Sequence, residues 1–144
     1  MLKKIVYICL FILNISLFAD NEVSLFSSEG EAIAYIDTSD ELTIYLWDGT
    51  PVAYLDEDIS GGYNVYGFNG THLGWFVNGV IRDHRGDASC AVKEVIKTTR
   101  FEPFKSFKSF KPFKSFKSLA PMRPFFSNSF GQISCKFLLM TGSR

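Results

Sequence analysis

The sequence is poor in the residues that carry chemistry. Its 144 positions include two histidines and three cysteines, and Cys9 lies in an apolar N-terminal run. No Cys/His spacing suits zinc, no glycine-rich loop suits a phosphate, and no carboxylate pair stands on a recognisable scaffold. These absences argue against an enzyme and against any cofactor or metal. A long apolar run is also missing. Ile5–Phe18 is 14 residues with Asn14 inside it, short for a membrane span. With Lys3-Lys4 before it and Leu17-Phe18-Ala19 after it, the run reads as an export signal over residues 1–19, either cleaved or kept as an anchor. Export places the chain in the periplasm, the cell envelope or the medium. There Cys90 and Cys135 either pair or stay as small buried hydrophobes.

What the sequence has in excess is charge segregation and phenylalanine. From Asp20 to Val92, 13 acidic residues face 2 basic ones, a net of 2 − 13 = −11; from Lys93 to Arg144, 11 basic face 2 acidic, a net of 11 − 2 = +9. The zero net charge is therefore two opposed halves that attract each other or an outside partner. Fifteen residues are Phe, and they concentrate in the basic half.

The acidic half, residues 20–97, repeats. Aligned on Gly30, Gly49, Gly70 and Gly86, four units appear: SLFSSEGEAIAYI, TIYLWDGTPVAYL, NVYGFNGTHLGWF and GVIRDHRGDASCAV. Each is an apolar run, a two-residue turn and a second run. Asp48-Gly49 and Asn69-Gly70 suggest type I′ hairpin turns. Four residues after glycine the side chain is always small: Ala34, Ala53, Gly74, Cys90. Opposite stand Leu25, Ile44, Val65 and Ile81. The pattern predicts a mainly β fold, with four antiparallel hairpins meeting round a pseudo-fourfold axis at the small residues. The other face carries Tyr35, Tyr54 and a candidate docking surface of Tyr45, Trp47, Tyr66, Phe68 and Trp75. It is either a ligand platform, for glycan among other things, or a seat for the tail. In the fourth unit Arg82, His84 and Ala91 break this aromatic pattern.

Residues 98–130 place an apolar residue at every third position. Phe104, Phe107, Phe110, Phe113 and Phe116 are each followed by lysine: Lys105, Lys108, Lys111, Lys114 and Lys117. Only a helix of three residues per turn aligns such residues, and polyproline II has that repeat; Pro103, Pro112, Pro121 and Pro124 suit it. The expectation is a Phe edge packed on the aromatic head with lysines reaching the acidic loops. The alternatives are a cationic arm that inserts Phe into an anionic envelope surface, and a segment ordered only by a partner protein. A tail docked on a neighbour's head makes an oligomer.

Weaker signals read as structure. Asp56–Gly61 resembles the start of a calcium loop but has Gly67 where the closing Glu belongs, so it is read as a solvated acidic loop. Arg85-Gly86-Asp87 is read as a turn. Cys90 is expected buried and inert, and His72 exposed. The acidic head and the export signal argue against nucleic acid as the partner of the Lys/Phe run.

YLWDGTPVAYL, YGFNGTHLGWFVNGVIRD and the following three-residue Lys run closing in PFFSNSF together resemble the bacterial 4-fold beta flower family, over about Leu25 to Phe130. The resemblance implies four hairpins about a pseudo-fourfold axis and no established activity. The ending, residues 131–144, differs from the family's usual terminus. The function expected is that of an exported structural or binding module. The alternative is a membrane-active or toxin-like cationic tail, carried and masked by the acidic head.

Overall fold

The structure is a computed structural model and describes residues 21–143. Residues 1–19, read from sequence as an export signal, lie outside the described residues. Eight antiparallel strands form a closed barrel in sequence order: β1 Glu22–Phe26, β2 Ala32–Asp37, β3 Thr43–Leu46, β4 Pro51–Glu57, β5 Tyr63–Gly67, β6 His72–Val77, β7 Val80–Arg82 and β8 Ala88–Ala91. A short helix, α1, spans Cys135–Met140. Among the described residues no helix is long and apolar enough to cross a membrane.

The small-residue rule sets the register. Leu25 pairs with Ala34, Ile44 with Ala53, Val65 with Gly74 and Ile81 with Cys90. All of these side chains are fully buried except that of Gly74, which has none. A β-carbon on Gly74 would sit 1.9 Å from the Arg82 carbonyl oxygen, so the barrel leaves no room there. Leu46, Val52, Leu55 and Leu73 extend this core, and Cys135, Leu138 and Leu139 of α1 complete it. Eight strands enclose an interior that side chains can fill.

The turns are not the expected type I′. At each of Gly30, Gly49, Gly70 and Gly86 the glycine N–H donates to the carbonyl three residues back. Glycine alone takes positive φ there; Asp48 and Asn69 do not. A second bond closes each loop: Ser27 N–H to Glu31, Leu46 to Thr50, Gly67 to Thr71, Asp83 to Asp87. This is a type I turn followed by a glycine bulge, and the strand register shifts beside all four. Paired positive φ occurs instead at Asn78-Gly79, 54° and 77°, which joins β6 to β7, and at Glu41-Leu42, both 55°, before β3.

The ending is integral. Cys135 forms a disulfide with Cys90, with Cα atoms 4.9 Å apart. Ser134 caps α1 by accepting from the Phe137 N–H. Beyond α1, Thr141 and Gly142 offer their carbonyls to Asn69. Residues 131–143, which differ from the family's usual terminus, thus pack against the barrel and are tied to it.

Candidate functional site

The segment from Lys97 to Phe126 has neither helix nor strand, yet it is fastened along its length. The carbonyls of the four turn glycines each accept an N–H: Gly30 from Arg100, Gly49 from Ser109, Gly70 from Ser118 and Gly86 from Ser127, at 2.8–2.9 Å. Those donors are spaced by nine residues. So are the carbonyls of Thr98, Phe107, Phe116 and Phe125, which press on the same glycines. Two more bonds obey the rule: Ser106 N–H to Trp47 and Ser115 N–H to Phe68. The ribbon therefore visits the four turns in order, one every nine residues.

That spacing is written in the sequence. FEPFKSFKS, FKPFKSFKS and LAPMRPFFS are three successive nine-residue units. The three-residue alternation inside them hides the longer repeat, and only the four glycines of the head give it a meaning.

The lysines, not the phenylalanines, face the head. Lys105 Nζ lies 4.8 Å from the Tyr35 ring centre and 4.9 Å from that of Trp47; Lys108 lies 5.3 Å from Tyr45. Nine residues on, Lys114 is 4.2 Å from Tyr54 and Lys117 5.6 Å from Tyr66. Each ring pair straddles a strand boundary in register, Tyr35 with Tyr45 and Tyr54 with Tyr66, and the rings stack. A cation above such a pair meets the negative faces of both rings.

Acidic groups finish the seats of Lys105, Lys108 and Lys117 and hold Lys111 and Arg123. Lys105 and Lys108 pair with Glu22 at 2.8 and 2.9 Å, and Lys108 also with Asp37. Lys111 pairs with Asp40 at 2.6 Å and Glu41 at 3.0 Å, Lys117 with Asp56 and Arg123 with Asp58, both at 2.8 Å. Burial opposes the charge on Lys108, but hydrogen bonds to Asp37 and Glu22 outweigh it and raise its pKa. Burial likewise opposes the charge on Asp37 and Glu22, and the lysines hold both below the usual carboxylate range. The hydrogen bond from Lys111, then that from Tyr45, lowers Asp40. Asp56 and Asp58, read from sequence as a solvated loop, are anchors for the ribbon. Among the described residues no cluster of His, Cys, Asp or Glu could hold a metal ion.

The third strand boundary inverts this chemistry. Trp75 pairs with Arg82 where the others pair two tyrosines. The ribbon there offers Phe126 in the phase of Lys108 and Lys117. The Arg82 guanidinium lies 4.8 Å from the Phe126 ring, and Trp75 tilts against it at 5.7 Å. Arg82 also donates to Ser127 O and Asn128 Oδ1. Cation and ring have exchanged sides. The break in the aromatic pattern at Arg82 is matched by a break in the ribbon.

The candidate surface residues are therefore covered. Tyr45, Tyr66, Phe68 and Trp75 are buried and Trp47 is half-buried; Trp47 Nε1 donates to Pro103 O and the Tyr66 hydroxyl to Ser118 O. The expected inward Phe edge is overturned. Phe101, Phe104, Phe107, Phe110, Phe113, Phe116, Leu119, Met122 and Phe125 each retain 88% or more of their full exposure. The physical reason is that the head's outer grooves offer carboxylates and ring faces, which suit an ammonium better than another ring. His72 is also reversed: it is 3% exposed. Its ring stacks on His84 at 5.2 Å and meets Asn64 Oδ1 and His84 Nε2 at 2.9 Å. Burial, and then the neighbouring His84, pull its pKa down to about 4.

A family model described as the 4-fold beta flower protein matches residues 23–139, a span that includes most of α1. No curated protein and no solved structure matches.

Proposed function

The chain belongs to the 4-fold beta flower family, and on that premise we propose a non-enzymatic binding module whose working surface is the outward Phe edge of the ribbon. In this reading the four hairpins are petals about a pseudo-fourfold axis and the ribbon is wound as polyproline II. Nine residues then advance about 28 Å, against about 10 Å for two strand spacings at the barrel wall. The ribbon runs on a wider circle than the barrel, consistent with petals that splay at their bulged turns.

One observation carries the proposal: nine apolar side chains in one phase stand at 88% or more exposure on a backbone pinned at every turn. Exposed apolar ridges of this extent mark interaction sites on soluble proteins. The folded head does not use these rings, whereas it does use the lysines. Cys90 is locked in a disulfide and the two histidines bond to each other, which supports a role without catalysis.

The test replaces Phe104, Phe107, Phe110, Phe113 and Phe116 by Ser. The substituted protein should melt within a few degrees of the parent yet lose its retention on a phenyl matrix. Equal retention of the two proteins would remove the proposal; a collapse of the melting temperature would show that the edge is structural.

A further inference from the structure

We infer that the arc Phe104–Phe113 of this edge is a contact surface for neutral phospholipid. The inference rests on the reading above and names the occupant.

The edge is chemically plain. Phe104, Phe107, Phe110 and Phe113 bring no hydrogen-bonding side-chain atom, and each is 99–102% exposed. They form a ridge facing away from the barrel, not a groove. Two copies of a convex ridge meet over a small area, whereas a fluid interface closes around isolated rings. The second argument is charge. An inserted cationic arm needs its lysines free for anionic headgroups. Here Lys105, Lys108 and Lys111 are held by Glu22, Asp37, Asp40 and Glu41. Lys114, exposed beside Phe113, rests 4.2 Å from the Tyr54 ring centre; the arc thus offers more hydrocarbon than free charge, which suits a zwitterionic surface.

The third argument is position along the chain. Lys105 and Lys108 bind Glu22, the first residue of β1. The apolar run Ile5–Phe18 ends just before it in sequence. The arc therefore sits beside the junction of β1 with the sequence that precedes it. Phe125, on the same edge, lies at the Gly86 turn, far along the ribbon from that junction.

The test uses the full chain with Phe107→Trp or Phe125→Trp, mixed with phosphatidylcholine vesicles whose acyl chains are brominated. The emission added by each tryptophan is measured over the parent protein. Expected is quenching at position 107 at least twofold stronger than at 125, with protection of 107 from acrylamide. Equal quenching at both sites, or none at either, overturns the inference. If the parent still binds the phenyl matrix, that failure leaves the broader reading standing. Protection of position 107 without lipid, together with a dimer in sedimentation, overturns it in favour of a second copy.

Discussion

The carbonyl oxygen of Phe107 lies 2.0 Å from where a β-carbon on Gly49 would stand. The same approach recurs between Phe116 and Gly70. These glycines have two duties, since φ of 91° and 86° also closes the bulged turns. A methyl group there strains the turn and pushes the ribbon off its seat.

Gly49→Ala should therefore cost about 3 kcal/mol or more, from left-handed strain and the clash together. Thermal melting gives the loss. Limited proteolysis should show new cleavage between residues 104 and 112. Gly61→Ala is the control: its φ of 94° carries the same strain, but its β-carbon meets nothing within 4 Å, so the ribbon should stay resistant.

The exchange of cation and ring at Arg82 and Phe126 predicts coupling. Arg82→Tyr and Phe126→Lys should each destabilise, while the double substitution rebuilds the chemistry of the Tyr66 and Lys117 seat. The two effects should fail to add by about 1–2 kcal/mol, measured by denaturant melts of all four proteins. Additive losses would mean that the ring and the guanidinium do not interact energetically.

His72 predicts a pH dependence on the acid side of neutrality. Its folded pKa, about 4, lies below its ordinary value of 6.5. The folded state thus binds fewer protons, and stability is full above pH 6.5 and falls between 6.5 and 4. The ceiling of the loss is about 3 kcal/mol. His72→Gln should flatten the melting temperature across that window. The lowered carboxylates Glu22, Asp37 and Asp40 act below it: their contribution is present above about pH 4 and is lost as the pH drops further.

Reduction of the Cys90–Cys135 disulfide opens a loop of 45 residues, worth about 4 kcal/mol by chain entropy. Cys135→Ser should lose a comparable amount. Hydrogen exchange should rise first in α1 and at Ser127–Gly131, while the bonds from Ser109 and Ser118 hold.

The head was legible because its rule is local. A small side chain four residues past each glycine fixed all four Leu25/Ala34-type pairs. The turn type was misread because Asp-Gly serves both a type I′ turn and a bulged type I turn, and the strand twist chooses between them. The ribbon was half legible. A period of three reveals that there are edges but not which edge turns inward; that depends on Tyr35, Tyr45 and Asp37 coming together across strands far apart in sequence. The choice between pairing and separate burial of Cys90 and Cys135 stayed open for the same reason, and the burial of His72 beneath Trp75 and His84 was out of reach.

The match between ribbon and turns ties two lengths of the chain together. Removing one residue anywhere between Thr98 and Ser127 would swing rings into the ammonium seats downstream. Removing three would keep the edges but leave every later turn without its partner. Only whole nonads can be gained or lost, each with one β-hairpin. The fold can therefore change size only in paired steps, its rim and its wall lengthening together.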